Sequence, residues 1–401
     1  MALTKEQINI FKGRIERADH VRDYMQIACI LVKAGDKEWS EKVFKKAEKQ
    51  AEDSDDFIRL ASDVYEYLDD KNWAEGLCKK AEEKAEDYYD FNSIAEIIYE
   101  KFNNKEWAKS VYKKAAEKTE DNDQVRYLAR DILCNLNDDK WAEELYKQAP
   151  LTTKEINKIK DGETNAENED DAYSLSEIAG KLKRAGQSEW AKQVYKKLEL
   201  ALEKDNDSPG DFCEMANHLI ELGETKWAIN VYKKAEDIAQ DTTDLKRISE
   251  SLYQHVKDKE WVRKIINKSE QKAEKFNDYH DVAEAYCSHL GDKESGGRIY
   301  SQIEEIINSK KIEAPISYSE ELRKLAAGIF ENIKDRKWAK RIYKLSEENA
   351  ESFFDFRDLG TSLDEVFWDL EWAKEVYETA GKKADNSSDK NEIKEKLKEY
   401  K

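Results

Sequence analysis

Three residues of the stretch "DYHDVAEAYCSHL", His280, Cys287 and His289, are of the types that ligate metals or act as nucleophiles. Side chains converge on one helix face at i,i+3 or i,i+4. Cys287 and His289 lie seven and nine residues from His280, so all three are read as ordinary surface or half-buried side chains. "DNDSPGDFCEMA", from Asp205, has the outline of a calcium loop, but Pro209 takes a ligand position and Ala216 stands where a bidentate Glu is required. "DGETNAENEDD" reads as a solvated acidic loop. Cys29, Cys78, Cys134, Cys213 and Cys287 are odd in number and widely spaced, without CxxC, which fits neither a disulfide framework nor a zinc site. No Gly-rich phosphate loop, GxSxG or HExxH occurs. "SGGR" at Ser295 is expected to mark a bend or packing defect in a helix. The chemistry-bearing residues thus describe no enzyme, cofactor or metal site.

The elements that carry these residues are helices. The chain has 401 residues, with three prolines and fourteen glycines, and Lys, Glu and Ala fill its polar positions. Charged and hydrophobic residues each make up 39%, but ten Trp, twenty Tyr and twelve Phe argue for a packed core rather than disorder. The net charge of −19 repels phosphate backbones and anionic lipid, so neither nucleic acid nor membrane is expected as a partner. No run approaches roughly 18 consecutive apolar residues, and "MALTKEQINIFKGRIERADH" lacks a signal peptide's apolar core, which gives a cytoplasmic expectation.

Trp39, Trp73, Trp107 and Trp141 recur every 34 residues. Trp190, Trp227, Trp261, Ser295 in a Trp position, Trp338 and Trp372 extend the series, in steps of 49, 37, 34, 34, 43 and 34. Each period holds two helical stripes. In residues 90–119, Phe91, Ile94, Ala95, Ile98 and Phe102 form one, and Trp107, Ala108, Val111, Tyr112 and Ala115 the other, on either side of the turn "NNK". A fixed period of this length specifies a stack of hairpins in which each copy buries its neighbour's apolar face. Every Trp is therefore structural. The irregular steps contain Pro150, Pro209 and Pro315, which cut a helix or insert a loop.

The 34-residue hairpin resembles the tetratricopeptide repeat (TPR). Repeat 1 carries Tyr24, Ile27, Ala28, Leu31, Gly35, then Ser40, Phe44 and Ala47, and repeat 6 carries Phe212, Met215, Ala216, Leu219, Gly223, then Ala228, Tyr232 and Ala235. Repeats 2–4 and 7–10 have one extra residue between the helices, and the family's proline near the repeat end is missing. Trp sits beside the second helix's first Ala. The chain is thus similar to a divergent, Trp-containing subtype, and related helical repeats (Sel1-like, half-TPR) share the period. The resemblance implies an all-α fold, a right-handed α-α superhelix (solenoid) of about ten helical hairpins. The expected organisation is an N-terminal capping helix over 1–19, repeats 1–4 over 20–150, and an acidic inserted helix and loop projecting over 151–170. Repeats 5–8 over 171–310, repeats 9–10 over 311–384 and a polar C-terminal capping helix over 385–401 complete it.

The family's first helices line an inner groove, and the resemblance carries that role to the positions one, five and eight after the first large apolar residue. Tyr65, Tyr99, Tyr253 and Phe330 become exposed aromatic anchors for a peptide. Arg126 and Arg130, one turn apart, become a guanidinium pair able to grip a carboxylate, the competing reading being ion pairs within the array. The expected function is a non-enzymatic scaffold binding a partner protein or peptide along the concave face. The alternative is a structural spacer or self-assembling solenoid.

Overall fold

The computed structural model describes residues 3–205, 208–309 and 318–400. Asn206 and Asp207 of the calcium-like stretch, Pro315 and the expected boundary at 310/311 lie outside them. The described residues hold twenty-three α-helices and no strand.

After α1 (Lys5–Arg17), the hairpins run α2 (Val21–Lys33) with α3 (Lys37–Gln50), and α4 (Ser54–Asp63) with α5 (Lys71–Lys84). Next come α6 (Tyr88–Phe102) with α7 (Lys105–Glu117), and α8 (Asn122–Asp131) with α9 (Asp139–Gln148). The helix α10 (Thr153–Glu169) intervenes. Repeats 5 to 7 are α11 (Ala172–Arg184) with α12 (Ser188–Asp205), α13 (Pro209–Glu221) with α14 (Thr225–Ile238), and α15 (Thr242–Ser251) with α16 (Lys259–Lys272). Repeats 8 to 10 are α17 (Phe276–Leu290) with α18 (Lys293–Asn308), α19 (Tyr318–Gly328) with α20 (Arg336–Glu348), and α21 (Phe353–Glu365) with α22 (Leu370–Lys383). Helix α23 (Ser387–Lys398) follows. The fold is all-α, ten helical hairpins in an α-α solenoid. It divides into two compact bodies, one of Ala18–Val231 and the other of Met1–Arg17 with Tyr232–Lys401.

The turn between the helices explains the extra residue. Every first helix is followed by a residue in the left-handed region: Gly35, Asp69, Asn103, Asn137, Gly186, Gly223, Lys257, Gly291, Lys334 and Trp368. In repeats 2, 4, 7 and 9 the extra residue is taken up by a π-helical turn at Val64–Leu68, Ile132–Leu136, Leu252–Val256 and Ile329–Ile333. Repeats 3 and 8 take it up by lengthening the first helix to 15 residues. An Asp or Asn then caps the second helix and accepts the backbone N–H of the Trp, as Asp36, Asp70, Asn104 and Asp138 do for Trp39, Trp73, Trp107 and Trp141. First helices are capped likewise by Asp53, Asp87, Asp121 and Asp241. Much of the acidic excess thus sits at helix N-termini, where the dipole favours it.

Second helices bury the part of their apolar stripe that follows the half-buried Trp. Ala108, Val111, Tyr112 and Ala115 are inaccessible to solvent, and the same holds for Ala339, Ile342 and Tyr343. Each large member contributes about 1.5–3 kcal/mol.

The Trp ties neighbouring hairpins together. Among the described residues, the indole N–H of Trp73, Trp107, Trp190, Trp227, Trp261, Trp338 and Trp372 donates, over 2.6–3.0 Å, to a Glu of a preceding helix: Glu48, Glu82, Glu163, Glu199, Glu236, Glu304 and Glu347. A cation from the Trp-bearing helix often completes the contact, as Lys80 does on Glu48, Lys114 on Glu82, Lys197 on Glu163 and Arg341 on Glu304. In repeat 8, where Ser295 replaces Trp, Arg298 donates to both oxygens of Glu270 instead.

Two local expectations are corrected. The 151–170 segment does not project as a short helix and a loop. Thr152 and Glu155 cap α10 reciprocally, it runs unbroken to Glu169, and its Glu163 supplies the Trp190 contact. Nor does "SGGR" interrupt its helix, since α18 is continuous through it. Gly296 is there because a Cβ at that position would stand 2.3 Å from the Cys287 sulfur.

Helix α1 packs on α22 within its body. Ile10 and Phe11 are buried there, and Arg14 Nη2 donates to both oxygens of Asp364 at 3.0 and 2.9 Å.

Candidate functional site

Within each body the first helices carry the side chains left for other work. Second helices spend their apolar residues on the stack. The aromatics most exposed among the described residues, Tyr89, Tyr127, Tyr173, Tyr253 and Phe354, at 40–75%, all belong to first-helix segments. Tyr89, Tyr173 and Phe354 occupy the second position of α6, α11 and α21.

Of the residues singled out from sequence, Tyr65 and Tyr99 are half-buried, Tyr65 edge-on to Phe102 with ring centres 5.4 Å apart. Tyr253 is exposed and stacks on His289 at 4.7 Å. Arg130 is half-exposed, lies over the Tyr127 ring and donates to Asp131 at 2.8 and 2.6 Å. The groove assignment is corrected for the other two. Arg126 is buried, and its guanidinium donates to the Ala149 and Pro150 carbonyls at 3.0 and 2.9 Å and to Asp123 and Glu155 at 3.0 Å. It fastens the start of the α9–α10 connection onto α8, and those contacts leave it no free grip for a ligand. Phe330 is 8% exposed because Phe367 and Trp368 of the following hairpin cover it, with ring centres 5.2 and 5.1 Å away.

Three hollows open on first helices. In the first body, α8, α10 and α11 enclose a cleft of about 570 Å³, with Lys158, Lys181 and Arg184 facing Asp123, Glu169 and Glu177. A neighbouring hollow of about 370 Å³ lies over Ser176 and Gly180, beside Tyr173 and His218. In the second body, α17, α19 and α21 line about 410 Å³, including His280, Arg323, Ala327 and Thr361. Ser176 and Gly180, like Arg323 and Ala327, stand one and five positions after the first large apolar residue of their helix, Leu175 and Leu322.

The groove is polar and tightly cross-linked. Asn92 donates to Glu96 at 3.1 Å and to Asp131 at 3.2 Å, joining α6 to α8. Burial, with Asp131 and Glu100 nearby, pushes the Glu96 carboxyl above its ordinary value. On the opposite layer, burial alone would push Glu236 up, but Lys268, Lys264 and the Trp261 indole hold it down to about 2.

What sequence reading missed is the Glu partner of the Trp. The signal was present: Glu48, Glu82, Glu236 and Glu347 each stand 25 residues before a series Trp.

These features define a helical tandem-repeat protein. No family model matches the chain, and no curated protein matches it in sequence. Among solved structures it is similar to human IFIT1 as a dimer with PPP-AAAA, at 16% identity over 99% of this chain and 95% of that one, with a TM-score of 0.28. Yeast Tom70 is similar at 12% identity over 95% of each chain, TM-score 0.31. A circular tandem repeat protein is similar at 16% identity over 98% of this chain and 94% of that one, TM-score 0.19. The exclusion of nucleic acid drawn from net charge is corrected here. IFIT1 is solved with PPP-AAAA and with m7Gppp-AAAA, RNA ligands on a repeat protein. Net charge is an average over the chain, while a ligand meets only a local surface. No helix among the described residues is long and apolar enough to cross a membrane.

Proposed function

We propose that the chain is a non-enzymatic, cytoplasmic scaffold of a divergent, Trp-containing TPR-like type, whose first-helix face holds a partner protein or peptide. One observation carries this reading. Exposed aromatics gather on first helices, while the second-helix stripes are consumed by stacking. Aromatic side chains offer large contact area at small entropic cost, which suits them to anchor a partner. Tyr65, Tyr99, Tyr253 and Arg130 are retained as partner-binding candidates, and Tyr89, Tyr127, Tyr173 and Phe354 join them.

The test is capture from native lysate with full-length protein as bait, comparing wild type with Tyr99→Ala/Arg130→Ala and with Tyr253→Ala. A partner held by wild type and lost from either variant supports the groove. Equal capture by all three removes the proposed site. The absence of any enriched partner, together with a mass that rises with concentration in light scattering, replaces the scaffold with a self-assembling solenoid.

A further inference from the structure

We propose that His280, Asp281 and Glu284, on one turn of α17, form a binding site for a divalent transition-metal ion of the zinc type. One ligand atom from each residue lies within 4.8 Å of the others. One imidazole nitrogen with two carboxylate oxygens is a donor set that zinc accepts, its remaining coordination left to water. His280 and Glu284 both line the 410 Å³ hollow between α17, α19 and α21, which gives an ion an entry path and room for that water.

The surroundings of His280 distinguish this cluster from a chance meeting of acidic side chains. Its ring faces α19 across the hollow that both helices line. The atom turned toward α19 is Nε2, and a Cβ at position 328 would stand 2.8 Å from it, so Gly328 keeps this approach open. Phe276 and Tyr300 hold the ring between them, with centres 5.9 and 5.8 Å away.

The competing occupant is Lys246, which sits 2.9 Å from Asp281. Both side chains of that pair are 37% exposed, so the contact is weak and a dication can displace the ammonium. Sequence reading tested His280 against Cys287 and His289 and passed over the i,i+4 carboxylate of Glu284.

The experiment is a cobalt(II) titration of the untagged full chain, followed by visible absorption and by calorimetry, with zinc(II) as competitor. The expected result is one equivalent bound, with d–d bands that zinc abolishes. Glu284 is exposed, so Glu284→Gln leaves the fold intact. It should weaken binding by at least the roughly 10–100-fold that loss of an outer-shell partner costs. His280→Ala should weaken it further, and Lys246→Met should tighten it by removing the competing cation. Absence of saturable cobalt binding in wild type overturns the proposal, as does Glu284→Gln binding as tightly as wild type.

Discussion

Replacing Arg14 by Met tests how the first helix of the chain is held. Arg14 and Asp364 are 350 positions apart in sequence, and their side chains are 9% and 1% exposed. Tyr400 donates its hydroxyl to the same carboxylate at 2.7 Å, and its ring centre lies 5.1 Å from the guanidinium. Burial alone would push the Asp364 carboxyl up, but Arg14 outweighs it and holds it below its ordinary 3.8. Met keeps much of the bulk of Arg and removes the charge, leaving a buried carboxylate with Lys396 at 3.4 Å as its remaining cation. Breaking one side of a buried pair costs about 3–5 kcal/mol. At about 1.4 kcal/mol per decade, release of α1 should become roughly 100- to 4,000-fold more frequent. Hydrogen exchange followed by mass spectrometry reads this directly, as lost protection in α1 and α22 with unchanged rates in the α6–α7 hairpin. Adding Asp364→Leu should restore most of the protection, because the orphaned charge goes with it. Protection of α1 within tenfold of wild type would refute the reasoning.

Further outcomes follow from the same physics. Trp107→Phe removes a 2.6 Å bond to the Glu82 carboxylate and should cost about 1.5–3 kcal/mol in urea unfolding. Trp141→Phe should cost less, because Ala116 stands 25 residues before it where other repeats place Glu. Glu236 ordinarily titrates at 4.5 and is held at about 2 when folded, so its stabilisation is present above pH 4.5 and lost as pH falls toward 2. Glu236→Gln should flatten that part of the melting-temperature profile. Lys334→Gly should raise stability by about 0.5–1 kcal/mol, since Lys334 has φ 69° and glycine adopts that region without strain. Gly296→Ala should cost about 1–3 kcal/mol, because the Cys287 sulfur must move, and Cys287→Ala in the same chain should recover most of the loss.

The hairpin, its period and its buried stripes were legible in the sequence, because burial of one helix face imposes spacing and every copy repeats it. The pair formed by Val111 and Tyr112 is as clear in sequence as in structure. What was illegible depends on distance along the chain. Phe330 takes the same place in its π-turn as the exposed Tyr253, and it is buried because Phe367 and Trp368, some forty residues on, cover it. Arg126 was assigned to the surface because nothing local reveals that the Ala149 and Pro150 carbonyls return to it. The docking of α1 joins positions 350 residues apart, and no periodic signal reaches that far.

The clamp of Trp, Glu and Lys also bears on why first helices are free to carry a ligand surface. A hairpin stack normally needs both helix layers to hold register, because apolar contacts alone tolerate sliding. Here register is fixed on the second-helix layer by a directional bond from indole to carboxylate, reinforced by a cation on the same Glu. Glu82 illustrates this, receiving Trp107 on one oxygen and Lys114 on the other at 2.6 and 2.8 Å. A hydrogen bond to a charged acceptor contributes about 1.5–3 kcal/mol, comparable with burying one further large side chain. With the second-helix layer anchored in this way, alongside first-helix links such as Asn92 to Asp131, substitutions at Tyr99 or Tyr173 need not compete with repeat register. Variation of ligand preference is therefore expected to concentrate on first helices, and loss of stability on the positions of Trp and its Glu.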